Sequence, residues 1–249
     1  MINVNLKKKQ KIQPENTILT NDAPFAFTES YKKLRTNISF VSMSGKYKRL
    51  LVTSAIPNEG KSTVAINLAV SLAETGAKVI VIDCDMRNPS IHRYLRMRNS
   101  SENGLSNLLT GAVNGNVTIS NYTRGGFCFI PAGTIPPNPA ELLGSENMEK
   151  LLNMLEEHFD YIICDTPPTT VVSDAAVLSR FIDGVLLVIR QNFSSTQQVK
   201  AAVQSLRDVN ANIFGTVLNQ YDLSADRKKS GSKYGYYGSY HYGYGEQSK

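Results

Sequence analysis

A chain of 249 residues that is 41% hydrophobic can bury one large core without metal or disulfide staples. Its three cysteines, Cys84, Cys128 and Cys164, lie far apart with no Cys-x-x-Cys pair, which argues against a disulfide framework, a zinc site or an iron–sulfur cluster. The net charge of +6 is concentrated in Lys7, Lys8, Lys9 and Lys11 and in Arg227, Lys228, Lys229 and Lys233, so the body is near neutral and no nucleic acid is expected as a partner.

No run approaches the roughly eighteen apolar residues of a membrane span, and no apolar stretch follows the early lysines, so the chain is expected in the cytoplasm. Residues 1–27 are polar, contain Pro14 and Pro24 and show no sustained period; they read as a flexible arm. A helix is predicted over 28–43. Thr28 can cap it, Tyr31, Leu34, Ile38 and Val41 form its buried row, and Glu29, Lys32 and Arg35 recur at three-residue spacing along another face.

The next stretch organises the chain. Leu50, Leu51 and Val52 close an apolar run, and from Lys61 onward the rows Val64, Leu68, Leu72 and Ala65, Ala69, Ala73 have helical spacing. Between them lies Ser54-Ala-Ile-Pro57-Asn58-Glu59-Gly60-Lys61-Ser62-Thr63, a loop joining strand to helix. Backbone N–H groups of such a loop and helix start face an anion, a lysine reaches the outer phosphates, and a hydroxyl is offered to Mg²⁺. Ala55 occupies the place of the first glycine in the G-x-x-x-x-G-K-[ST] pattern, so Pro57 is expected to supply the bend.

Gly76 ends the helix, and Lys78 to Asp83 is a continuous apolar strand, the signature of a parallel sheet buried on both faces. It ends in Asp83-Cys-Asp85-Met-Arg87, whose two acids can share one side of the extended chain. Beside a triphosphate they would repel it unless Mg²⁺ lies between or one acts as a base. From 88 to 145 the pattern is broken: a helical turn at 104–109, a strand at 127–130, and a proline-set helix entry at 136–143. A helix follows at 146–157, then the strand Tyr161–Asp165, again with an acid at its carboxyl end. Strand ends on one edge of a parallel sheet meet in one crevice, so Asp83, Asp85, Asp165 and the phosphate loop are predicted to converge.

Helices at 172–181 and 195–209 and strands at 184–190 and 213–219 complete an α/β fold: a doubly wound, mostly parallel sheet flanked by helices, of the P-loop NTPase type, over residues 28–222. Asn219, at a strand end, can read a base edge with its paired donor and acceptor. Residues 223–249 carry six of the twelve tyrosines, Tyr234, Tyr236, Tyr237, Tyr240, Tyr242 and Tyr244, among Gly, Ser and His241. With no aliphatic residue to bury beside them, they read as a disordered tail next to a phosphoryl-transfer site.

Taken together, the phosphate loop with Pro57, Asp83-x-Asp85-x-Arg87, Asp165-Thr-Pro-Pro, Pro136-Pro-Asn-Pro-Ala-Glu-Leu and the tyrosine tail resemble the bacterial tyrosine kinases that control capsular and exopolysaccharide synthesis. The resemblance implies an ATP:protein-tyrosine phosphotransferase that autophosphorylates its tail. By motif position Pro57 to Thr63 and Asn219 form the nucleotide site: Lys61 holds the β- and γ-phosphates and Thr63 meets the α-phosphate. Ser62 ligates Mg²⁺, Asp83 accepts the tyrosine proton, and Asp85 and Asp165 support the metal. It also implies a homo-oligomeric ring built through Glu29, Lys32 and Arg35, a separate membrane-anchored activator that holds the kinase at the inner face of the membrane, and a cognate tyrosine phosphatase. In the family helix the middle position of that triplet is arginine; Lys32 lacks its bidentate fork. The alternatives are a partitioning-type ATPase switch and a non-catalytic nucleotide-sensing interaction protein. Against the first, Ile56 stands where that group carries an extra lysine.

Overall fold

Alternation of buried side chains along parallel strands decides the architecture. In β1 (Arg49–Ser54), Leu50 and Val52 face one core and Leu51 the other; in β2 (Val79–Asp83), Val79 and Val81 part from Ile80 and Ile82 in the same way. Strands buried on both faces need helices on both, and the chain supplies them. The computed structural model describes residues 18–20, 22–43, 47–97, 103–112 and 119–221. The chain divides into a unit of residues 1–219 and a second of 220–249, and every element named below belongs to the first.

The first face is covered by α1 (Phe25–Met43) and α2 (Lys61–Ala73), through Tyr31, Ile38, Val64, Leu68 and Leu72. Two short helices follow, α3 (Ile91–Tyr94) and α4 (Leu105–Leu109), then β3 (Ser120–Tyr122), β4 (Phe127–Ile130), α5 (Pro139–Leu143) and α6 (Glu146–Glu156). After β5 (Tyr161–Asp165) come α7 (Asp174–Leu178), which ends in a single 3₁₀ turn at Ser179–Phe181, and then β6 (Gly184–Arg190), α8 (Thr196–Asp208) and β7 (Ile213–Asn219). The second face is packed by Leu143 of α5, Met148, Leu152 and Leu155 of α6, Leu178 of α7 and Leu206 of α8. The sheet order is β3-β4-β2-β5-β1-β6-β7, parallel throughout except for β3.

The departures from the sequence reading are local. The first helix begins at Phe25, ahead of Thr28, and Leu19, assigned to the arm, is buried with its N–H donating to Asn67 Oδ1 at 2.7 Å. One apolar contact and one buried acceptor suffice to hold a segment that composition alone makes look loose. β3 and α3 are too short to show a period. The six tail tyrosines and residues 1–17 lie outside the described residues.

Register places the chemistry. β2 and β5 are neighbours with Asp83 level with Asp165, and on the other side of β5 Val52 is level with Asp165. The phosphate loop therefore leaves β1 beside the two acid-bearing strand ends. Threonines bind this edge together: Thr53 Oγ1 donates to Pro167 O at 2.8 Å, Thr166 N to Val52 O at 3.0 Å and Thr170 Oγ1 to Ala55 O at 2.5 Å.

Candidate active site

The site begins at a helix start with an unusual entry. Gly60 precedes α2 with φ +90°, and no side chain caps the helix, so its first N–H groups have no intrahelical acceptor and face outward. A second left-handed residue, Asn58 with φ +67°, completes the turn. The bend expected of Pro57 is thus carried by Asn58 and Gly60, with Pro57 lining the cleft between them and the acids. An asparagine tolerates that conformation better than most side chains.

Lys61 sits 12% exposed with Nζ 3.0 Å from Asp85 Oδ2, 3.7 Å from Asp165 Oδ1 and 3.3 Å from Ser62 Oγ. Asp83 is fully buried and already accepts three backbone N–H bonds, from Asp85 to Oδ1 and from Ser90 and Ile91 to Oδ2, each at 3.2 Å. The Asp85 carboxylate accepts the Asn88 N–H at 3.0 Å, which closes the turn after β2. Both oxygens of the fully buried Asp165 lack a hydrogen-bond partner.

In low dielectric Asp83, Asp165 and Lys61 shift one another. Burial, reinforced by Asp165 and Asp85 and opposed by Lys61, raises the Asp83 carboxyl to about 8. Burial likewise raises Asp165 to about 6, against the pull of Lys61 and Ser62. Desolvation works against the Lys61 ammonium, but the attraction of Asp165, Asp85 and Asp83 outweighs it and holds the lysine more firmly charged than in water.

A metal fits this donor set in one particular way. Among the described residues no three His, Cys, Asp or Glu side chains are arranged to hold an ion by themselves. The Ser62 hydroxyl and the two orphaned Asp165 oxygens are hard donors suited to Mg²⁺, an ion that keeps several waters and takes remaining ligands from substrate phosphates.

The cleft above this cluster has a volume of about 360 Å³. It is lined by Pro57, Asn58, Gly60, Lys61 and Ser62 of the loop and helix start, by Asp85, Arg87, Asn88, Ser90 and Arg93, and by Tyr94, Pro167, Pro168, Val171 and Val172. Ser90 was not legible as a site residue, yet its hydroxyl lies 3.0 Å from Ser62 Oγ. Arg87 makes a two-pronged ion pair, both contacts 3.0 Å, with Asp174 at the start of α7. Only the Asp-x-Asp-x-Arg spacing hinted at that residue.

The remaining expected residues surround this loop or lie on α1. The Glu59 side chain is fully buried and accepts bonds from Ile56, Arg190 and Ser194. Thr63, half-buried in the first turn of α2, follows Ser62. Asn219 donates from Nδ2 to Glu59 O at 2.8 Å, so its amide braces the loop from the end of β7. On α1, Lys32 pairs with Glu29 at 2.9 Å, and Arg35 reaches Ser71 O at 2.5 Å and Glu74 at 3.5 Å, all within the chain.

A phosphate loop opening a helix, a lysine among three acids and a doubly wound sheet define a P-loop nucleotide-binding protein. A family model described as an AAA domain matches residues 58–219. The chain is 34% identical over 235 residues to tyrosine-protein kinase YwqD of Bacillus subtilis, covering 94% of this chain and 96% of that one. Over 222 residues it is 36% identical to tyrosine-protein kinase etk of Escherichia coli, covering 86% of this chain but only 30% of that relative's length. The solved kinase domain of that Escherichia coli ETK superposes with a TM-score of 0.73 at 35% identity, over 84% of this chain and 80% of that domain. The chain belongs to the bacterial protein-tyrosine kinase family.

Proposed function

We propose that this chain transfers the γ-phosphoryl group of ATP to tyrosine hydroxyls, including those of its own C-terminal cluster, and thereby regulates capsular or exopolysaccharide synthesis. The observation that carries the reading is the meeting of Lys61 and Asp85, which line the cleft at the mouth of the phosphate loop, with the buried Asp165 and its neighbour Asp83 at the ends of β5 and β2, in a chain of this family.

The phosphates of ATP lie along the N–H groups at the start of α2, and Lys61 exchanges its carboxylate partners for the outer phosphate oxygens. Ser62, supported by Asp85 and Asp165, would hold Mg²⁺, which would supply positive charge to those oxygens. The acceptor tyrosine oxygen forms the new bond to the γ-phosphorus as the bond to the bridging oxygen breaks and ADP departs. The phenolic proton passes to Asp83, whose proton affinity is raised by burial. Positive charge brought into the cleft lowers that affinity by the same attraction that Lys61 already exerts, so the carboxylate form awaits the proton.

The reading extends to the arrangement in cells, where family membership supports a homo-oligomeric ring, a membrane-anchored activator and a cognate phosphatase. No helix among the described residues is long and apolar enough to cross a membrane, so contact with the membrane's inner face is assigned to the partner. A ring built through α1 requires Glu29, Lys32 and Arg35 to give up partners they hold within the chain. Each phosphate on the tail adds about −1.5 to −2 charges, which opposes assembly as phosphorylation proceeds.

The test is intact mass after incubation with ATP and Mg²⁺, with an activator fragment, beside Lys61→Ala and a chain ending at Leu223. Multiple additions confined to the full chain with Lys61 support the reading. Phosphate release with no tyrosine phosphate would overturn it in favour of an ATPase switch.

A further inference from the structure

The phosphate loop turns without the first glycine of its pattern. Ala55, in that place, is fully buried, and its carbonyl is held by Thr170 through both N–H and hydroxyl. Four residues on stands an acid that the loop pattern does not call for. Glu59 is 0% exposed, and all its described bonds are to protein groups. Oε2 accepts the Ile56 N–H at 2.9 Å; Oε1 accepts the Arg190 N–H at 3.1 Å and the Ser194 hydroxyl at 2.7 Å.

These bonds do two separate jobs. The first closes residues 56–59 into a ring, so the loop is pinned across its turn by a side chain. The second pair fastens the loop to the segment that follows β6, while Asn219 holds the Glu59 carbonyl from β7. A carboxylate exposed to a triphosphate would repel it; turned inward onto three donors, it leaves the helix-start N–H groups to face the anion. We propose that Glu59 is a positioning residue: its carboxylate fixes the turn of the phosphate loop and ties it to the 190–194 segment. The proposal rests on the nucleotide-binding reading of this loop.

Glutamine cannot do the same work. It keeps one acceptor oxygen but turns the other into a donor, which then meets either the Ile56 N–H or the Arg190 N–H head-on. Glu59→Gln in the full chain is expected to weaken ATP–Mg²⁺ binding at least tenfold by calorimetry, measured where urea titration shows the variant fully folded. KM for ATP should rise more than kcat falls.

If Glu59→Gln does not fold, Ser194→Ala removes a single donor from the same carboxylate and should weaken ATP binding about threefold. Affinity within twofold of the parent in the folded variant overturns the positioning role. A fall in kcat larger than the rise in KM for ATP overturns it as well. Absence of ATP binding by the parent chain would instead overturn the nucleotide reading beneath it.

Discussion

Gly60→Ala puts the entry to the phosphate site under a calculable load. The residue holds φ +90°, where a side chain other than glycine's is strained by about 1–3 kcal/mol. A methyl group there would also overlap the Asn219 side-chain nitrogen, which now donates to Glu59 O at 2.8 Å. Displacing that amide forfeits a bond of about 0.5–1.5 kcal/mol. The two effects sum to about 1.5–4.5 kcal/mol, which appears either as lost stability or as an opened loop. At about 1.4 kcal/mol per decade, an opened loop weakens ATP by about 10- to 1600-fold. Urea unfolding and calorimetric titration of ATP–Mg²⁺ measure the two shares. Asn219→Ala separates the causes: in that background the alanine at 60 meets strain but no overlap, so the two substitutions should combine to less than their sum. Strict additivity would refute the overlap, and a Gly60→Ala protein with parental stability and affinity would refute the whole account.

The acids predict a pH dependence. Asp83 at about 8 and Asp165 at about 6 both bind protons more tightly folded than unfolded, so between about pH 4 and pH 8 the native state holds the extra protons and nucleotide-free stability falls as pH rises. Asp83→Asn should flatten that slope in urea titrations, and a slope unchanged by it would refute the shared-proton cluster. Lys61→Ala removes the cation that offsets these charges; it should abolish phosphoryl transfer and lose more stability at pH 8 than at pH 5.5, while equal losses at both would show that the ammonium does not compensate the acids. Arg87→Met leaves the fully buried Asp174 without its partner. Because Arg87 is 41% exposed, the expected cost is about 2 kcal/mol by urea unfolding, below the 3–5 kcal/mol of wholly buried pairs, and a change under about 0.5 kcal/mol would refute a role in anchoring α7.

Much of this site is written in the order of residues, because the rules involved are local. An apolar run buried on both faces gives a parallel strand, and an acid at its carboxyl end must emerge on the edge where the phosphate loop emerges. Asp83, Asp85 and Asp165 could therefore be brought to Lys61 from the sequence, and the structure places them within 3.0–3.7 Å of its Nζ in the cases of Asp85 and Asp165. The tyrosine tail was equally legible in composition, though its chemistry rests on the proposal above. What the chain order could not declare was the choice of partner among groups that are chemically alike. Glu59 looked like a phosphate-loop residue and turned inward, because Ile56, Arg190 and Ser194 present three donors to a buried carboxylate. Asn219, expected at a base edge, also braces the loop through its Nδ2, and Arg35, expected at an interface, also closes on the end of α2 within the chain. Arg87 and Asp174 lie 87 positions apart and pair because folding buries one of them where an unpaired charge could not remain. Sequence determined which backbone edge carries the chemistry, since that follows from period and polarity; tertiary structure decided which polar group answers which, since that depends on burial and on distances that only the packed chain sets.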